Sequence, residues 1–546
     1  MARRKITNGE TVTTQVDIAS GDRLIVEAGG AIARAGAVPA VRVLGPEAFF
    51  LNQGTISVSS PGAAVTGALS GALSVRIVNE GDITGTNGAV SFSSPNGTTG
   101  GFTLINSGTI QGGTSQAVTL KDLRASTITI VNELGGLITN AGNADVLRPG
   151  HDLATAIRVV NAGTIMAGDV ANTSDGGDGI DFQPQDGGVA AKVINESTGH
   201  IEGGKHGVTG ANDAAILNEA GGEIIGRNGS GLNYDTDVAD GDGAVSVVNH
   251  GLISGRYDGL GDGDGDGVDV DYLVTIRNDG RIEGVGADNV ENFADGIAAG
   301  GGRIVNLVGG EIFGESNGIL IDDGDRNGAY AVTEVNNSGS IEGELGAGIR
   351  LIGDFADTVV NRGTITGAIA AVDMGGGDDS VRNTGTITGD VLLGAGADDY
   401  RGNGTVAGTI FGGDGDDTIA GGAGDDVIVG GLGRDYMAGR GGADTYVFTS
   451  IDDALFTGSI NDNDVIAFGR GDVIDLSAID ADPNTAGDQA FNLVFSQGGT
   501  GAAGDAVVIQ VQEGLYAVGL FIDAGDAPQG AFLVQVADPA LLSFVL

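Results

Sequence analysis

Along this chain Val and Ile fall in short runs, and each run closes on a polar step of the form N-x-G-x-[IV]-x-G, in which one apolar residue follows the Gly by two positions. Clean copies begin at Asn79 (NEGDITG), Asn106 (NSGTIQG), Asn249 (NHGLISG), Asn361 (NRGTITG) and Asn383 (NTGTITG), and forms two residues longer begin at Asn132, Asn195, Asn218 and Asn306. The key apolar residue recurs in fourteen copies from Ile56 to Val406, most of them 27 to 30 residues apart, and the steps shorten to 24, 22 and 19 after Ile341. A period of this size predicts short strands and tight turns, one coil per unit, in a parallel β-helix whose Ile points inward. Asn and Gly accept the left-handed conformations that tight turns need. Second strands are predicted at DGIDF from Asp178, DGVDVDY from Asp266 and NGILI from Asn317.

Composition supports an all-β repeat architecture. Gly supplies 103 of 546 residues while Pro supplies only 9, without a Gly-X-Y period, so collagen-like and Pro-rich readings fall away. Charge narrows the partners. With 26 Lys and Arg against 73 Asp and Glu, the net charge is −47, a surface that repels nucleic acid and suits cations. Cys is absent, so stapling by disulfides or thiolate-bound metal is excluded, and any metal must be held by oxygen. No transmembrane stretch is legible, and MARRKITNGETVTTQ at the start lacks the apolar segment of a cleaved secretory signal.

From Gly412 the pattern changes to four consecutive nines: GGDGDDTIA, GGAGDDVIV, GGLGRDYMA and GRGGADTYV. Each carries turn glycines and one Asp at its sixth position: Gly413, Gly415 and Asp417; Gly422, Gly424 and Asp426; Gly431, Gly433 and Asp435; Gly442 and Asp444. Gly-rich turns let backbone carbonyls converge and each Asp adds a hard anionic oxygen, which is the ligand type calcium takes six to eight of. The run resembles the RTX (hemolysin-type) calcium-binding repeat, and the resemblance implies calcium as cofactor and a parallel β-roll. If two nines make one coil, Asp417 stacks with Asp435 and Asp426 with Asp444. Steps of 19 back from Asp417 reach Asp398 and Asp379, and counting forward reaches Asp453 and Asp462. About three to five ions are expected. DGDGDGVDVD from Asp262 begins like an EF-hand loop, but Leu273 stands where the bidentate Glu belongs, so it reads as an acidic solenoid turn.

ADTYVF from Ala443 and NDVIAFGRGDVIDLSAIDA from Asn463 resemble the C-terminal region of serralysin-type (peptidase M10) secreted metalloproteases, with Ala467 and Ser543 as departures. The resemblance implies calcium-dependent folding and export by type I (ABC) secretion machinery to the extracellular medium, with an uncleaved C-terminal signal. The protease domain itself is missing: four His occur and none begins HExxH. Three regions are expected: β-helix repeats over 1–370, a transition and calcium β-roll over 371–447, and a serralysin-like cap with the secretion signal over 448–546.

Catalysis on the solenoid would need a base beside a cation. The best cluster is His200, Lys205 and His206 in GHIEGGKHG. There is no Cys, no GxSxG and no phosphate loop, and Trp is absent, so an aromatic sugar platform is not evident. The residues favour a secreted calcium-binding β-solenoid with a non-catalytic surface, matrix or adhesive role, meeting cell-surface or matrix polysaccharide. The alternative is a polysaccharide lyase or epimerase built on the β-helix.

Overall fold

The computed structural model describes residues 2–69, 73–93, 100–120, 123, 127–150, 156–168, 176–182, 191–210, 213–235, 244–257, 265–286, 294–322, 329–454, 459, 462–481, 489–496, 501–522 and 528–546. The protein is all-β, built of long parallel stacks, and divides into two compact units, Met1–Ser316 and Asn317–Leu546.

In the first unit the coils lay strands on three faces, one more than the sequence pattern showed, and Val268–Asn278 and Ile297–Asn306 each run a third-face strand into the following first-face strand. The first-face strand of one coil is Leu73–Asn79, the second-face strand Asp82–Thr84 and the third-face strand Val90–Ser93. Each pairs in parallel with its counterparts one coil earlier and one coil later: Ile77 with Phe50 and Leu104, Ile83 with Ile56 and Ile110, Val90 with Val65 and Val118. Strict alternation in LSVRIVN sends every second residue inward, and the inward set is fully buried. The repeat Ile is the inward residue of the short second face. Burial of each such side chain contributes about 1.5–3 kcal/mol. The stack begins before the first repeat legible in the sequence, because Ile32 already pairs with Ile56.

The asparagines do something other than turn. Ten of them, from Asn52 to Asn306, end the first-face strands, lie in register from coil to coil and are completely buried. From Asn52 to Asn278 each side-chain amide donates to the carboxamide oxygen of the next: Asn195 Nδ2 to Asn218 Oδ1 at 2.9 Å, and Asn218 Nδ2 to Asn249 Oδ1 at 2.8 Å. The same Asn218 amide also reaches the carbonyls of Gly222 and Leu252 at 3.1 and 3.0 Å, which fastens the strand end to the turn after it. None has a left-handed backbone; among the described residues that conformation falls to glycines and to Arg440. The expectation that Asn supplies turn geometry is therefore corrected. Its amide carries both a donor and an acceptor, so it can form an endless buried ladder with itself.

The second unit starts the same way. Asn337, Asn361 and Asn383 form the ladder, and Ile341, Ile365 and Ile387 form the second-face stack. Then the coil loses a face. Thr405–Ala407 is the last second-face strand of the unit, and after it Thr409–Asp414 leads directly into Thr418–Gly422. The three-sided coil becomes a two-sided roll, which is why the repeat shortens to 18 residues. Both remaining stacks continue in register: Tyr400, Ile419, Met437 and Ile466 on one side, and Ile410, Ile428, Tyr446 and Ile474 on the other.

An antiparallel meander ends the roll. Asp505–Gln512 pairs with Leu515–Phe521, which pairs with Gly530–Gln535, and that last strand runs parallel to Val465–Ala467. Phe448 and Phe532 stack at 4.6 Å between ring centres beneath this join. Gly530–Gln535 and Phe544–Val545 thereby cover the edges of Val465–Ala467 and Val473–Asp475, which would otherwise present unpaired backbone.

Candidate calcium centre

The turns joining the two sides of the roll carry the nonapeptide glycines. Gly413 and Gly415 have φ of +109° and +131°. A Cβ on either would lie 1.9 or 1.8 Å from the carbonyl oxygen of Gly394 or Gly396, one coil earlier. Only Gly lets the turns stack so closely, and stacking aligns their carbonyl oxygens in two columns along the edge. Between the turn and the next strand stands the Asp. The Asp417 amide donates to Asp435 Oδ1 at 2.9 Å, and Asp417 Oδ1 accepts from the Asp398 amide at 2.9 Å.

This link repeats. Along one edge it joins Asp357, Asp379, Asp398, Asp417, Asp435 and Asp464, each amide donating to the carboxylate of the following coil at 2.7 to 2.9 Å. Along the other edge it joins Asp426, Asp444 and Asp472 at 3.0 and 3.2 Å. Asp379 and Asp398 thus share a row with Asp417 and Asp435, and Asp426 stacks with Asp444. The expected continuation through Asp453 and Asp462 is not found. A one-turn 3-10 helix, Ile451–Ala454, lengthens the coil, so the next row members arrive 29 and 28 residues on, at Asp464 and Asp472. Asp453 is spent on the backbone and hydroxyl groups of Thr449 and Ser450.

Asp472, at the end of its row, uses both oxygens: Oδ1 accepts from the Asp444 amide and Oδ2 from the Gly469 amide at 2.7 Å. In Asp379, Asp398, Asp417, Asp426, Asp435, Asp444 and Asp464, by contrast, Oδ2 is buried without a hydrogen-bond partner. In the nonapeptides it points at the first Gly: a Cβ on Gly430 would lie 2.3 Å from Asp435 Oδ2. Burial, the largest cause, pushes the carboxyl of Asp417 up to about 7 and those of Asp426 and Asp435 up to about 6, with backbone donors opposing it and neighbouring aspartates adding to it. Asp379 and Asp464 rise to about 8 for the same reasons. Seven buried carboxylate oxygens without partners are too costly to leave as they are. Carboxylates beside columns of glycine carbonyls form an all-oxygen donor set that fits calcium and offers nothing to softer metals.

Residues 411–446 match the RTX calcium-binding nonapeptide repeat, in four copies. This is a calcium-binding repeat protein. No curated protein matches the chain. The two edges of its RTX turns are not alike. Gly422 and Gly424 lack the left-handed backbone of Gly431 and Gly433, and Arg440 takes φ +79° where the pattern has a second Gly. The Arg440 guanidinium reaches across to the Gly402 carbonyl at 2.8 Å. The apolar eighth positions Ile419, Ile428, Met437 and Tyr446 are all buried; Tyr446 Oη accepts from the Gly439 amide and donates to the Ala467 carbonyl.

The other candidate residues separate. His200 lies between Glu202 and Glu223, each 2.9 Å from a ring nitrogen, and the Glu202 contact holds its imidazole above the usual range. His206 is buried at a different corner, with its amide and Nδ1 both 3.0 Å from Asp178 Oδ1. Asp178 belongs to a group that sequence reasoning missed, with oxygens of Asp145, Asp178 and Asp181 within 4.8 Å of one another. Arg148 pairs with two of its three carboxylates, Asp181 at 2.8 Å and Asp145. The signal was an Asp two residues before an inward apolar residue, one coil apart. Of the EF-hand-like stretch, 262–264 lie outside the described residues; Asp266 is a buried corner residue accepting from the Asp295 amide, and Leu273 lies within the strand Val268–Asn278.

Proposed function

We propose that this protein is secreted and folds on extracellular calcium, serving a non-catalytic surface, matrix or adhesive role. Calcium would be held by Asp417 and Asp435 on one edge and by Asp426 and Asp444 on the other, together with turn carbonyls from Gly413, Gly415, Gly431, Gly433, Gly422, Gly424 and Gly442. The observation that carries the reading is the row of buried Asp Oδ2 atoms without partners. Where calcium is scarce these carboxylates repel one another and disfavour the roll, leaving an exportable chain; where it is abundant, its binding free energy adds directly to folding. The segment after Asn463 supports calcium-dependent folding, because its Asp464 and Asp472 continue the two aspartate rows; the reading of type I export rests on the resemblance of that segment to serralysin-type C-terminal regions. Cell-surface or matrix polysaccharide is the partner class for the remaining coils. Against a lyase or epimerase stands the use of both His200 nitrogens, and of His206 Nδ1, on carboxylates.

The test is calcium titration of chelator-stripped protein followed by circular dichroism and calorimetry. Strand signal and bound ions should rise together over the nonapeptides. A spectrum and melting curve indifferent to EDTA would overturn the reading.

A further inference from the structure

The RTX match begins at residue 411, yet the features that build its first edge do not begin there. In the turn Gly375–Asp379, Gly375 and Gly377 have φ of +78° and +116°; in the turn Gly394–Asp398, Gly394 and Gly396 have +108° and +142°. These pairs stand four and two residues before their Asp, as Gly413 and Gly415 stand before Asp417. Their close approach is also the same: a Cβ on Gly394 would lie 1.9 Å from the Gly375 carbonyl oxygen, and one on Gly396 would lie 1.9 Å from that of Gly377. Both carbonyl columns of the nonapeptide edge therefore extend back through two three-sided coils.

The carboxylates extend with them. Asp379 and Asp398 are each 2% exposed, each accepts one backbone amide on Oδ1, and each keeps a buried Oδ2 without a partner. A turn built only for close packing would not retain such an oxygen, because an Asn there would supply its own donor, as it does on the first face of these same coils. The upstream turns differ from a nonapeptide at one place: Met374 and Leu393 stand where the repeat has its first Gly. The turn of Asp357 lacks the paired glycines, with Phe355 in the second position, and marks where the columns start.

We infer that calcium binds upstream of the RTX repeats, at Asp379 and Asp398 with the carbonyls of the Gly375–Asp379 and Gly394–Asp398 turns, in coils that still have three faces. This rests on the nonapeptide reading above. The ion line then ties the last Asn-type coils to the roll, so calcium governs folding of the segment 357–407 as well as that of the repeats.

Two measurements on the full chain decide it. Calcium anomalous scattering from crystals of the unaltered protein should show an ion beside Asp379 and Asp398; peaks confined to turns within 411–446 and beyond would overturn the inference. Calorimetric titration with calcium should find at least one ion fewer for D379N/D398N than for the unaltered chain, and D426N/D444N should lose its ion from the opposite edge. If D379N/D398N binds as many ions as the unaltered chain while D426N/D444N loses one, the upstream site fails and the nonapeptide reading stands. If the unaltered chain takes up no calcium, both fail.

Discussion

The asparagine ladder of the first unit and the aspartate rows of the second place one short polar side chain at the same point of every coil, buried and in register, yet with opposite consequences. Asn218 gives its amide protons to Asn249 and to two carbonyls, and accepts from Asn195, so the ladder is complete and neutral. Asp417 accepts from the Asp398 amide and has nothing for its second oxygen. The two side chains differ by an NH2 in place of an O. That exchange turns a self-sufficient column into one that needs a cation from outside. The Asp145, Asp178 and Asp181 cluster shows a third solution, in which Arg148 brings the cation within the chain.

The largest effect should come from removing calcium. In EDTA, hydrogen exchange measured by mass spectrometry should lose protection throughout 357–481 and keep it over the Asn-ladder strands from 47 to 306. Equal loss in both units would break the contrast. Next comes conversion of one ladder into the other. Asn218→Asp places an uncompensated carboxylate in the neutral column and should cost the first unit about 3–5 kcal/mol, read from urea unfolding. Calcium should not rescue it, because the glycine carbonyl columns are absent there.

The reverse change should depend on conditions. Asp435→Asn removes a buried charge and should stabilise the second unit by roughly 1 kcal/mol in EDTA, yet lower its melting temperature in calcium. A change of the same sign in both buffers would count against an ion at this position.

Acidity gives a related test. The row carboxyls are raised in the folded chain, from an ordinary value of 3.8 to about 6 for Asp426 and Asp435, about 7 for Asp417 and about 8 for Asp379 and Asp464. Between pH 4 and these values the folded state holds protons that the unfolded state has released. Calcium-free stability of the second unit should therefore be greatest near pH 4 and fall as pH rises to about 8. Calcium should oppose that fall by binding the ionised form. A calcium-free melting temperature that climbs over this range would contradict the burial of the rows. The smallest effect should be the same in both regions: Ile224→Val and Ile419→Val should each cost about 1 kcal/mol, because the apolar stacks do not differ.

Much of this was legible in the sequence. The Ile period, its shortening from 29 to 19 and the four nines specify parallel coils and a calcium roll, because a side chain must return to one face at each turn and only Gly fits the crowded turn positions. Steps of 19 also reached Asp398 and Asp379, since coil length alone fixes which residues stack. Other features were not legible. Third-face strands were legible only at DGIDF, DGVDVDY and NGILI, whereas nothing local marks Val90 or Val118 as partners of residues a coil away. Asn looked like a turn residue because its propensity is local, whereas its role as a buried ladder exists only when coils stack. Asp464 and Asp472 lay beyond simple counting because the 3-10 turn at Ile451–Ala454 resets the register.

The sequence by itself determined the repeat, the charge and the chemistry of the donors, all of which depend on residue type and spacing. Only the tertiary structure decided which oxygens are left without a partner. That depends on what the neighbouring coil offers: an amide proton to Asn218 and Asn249 of the ladder, and a single backbone donor to Asp417 and Asp435 of the rows.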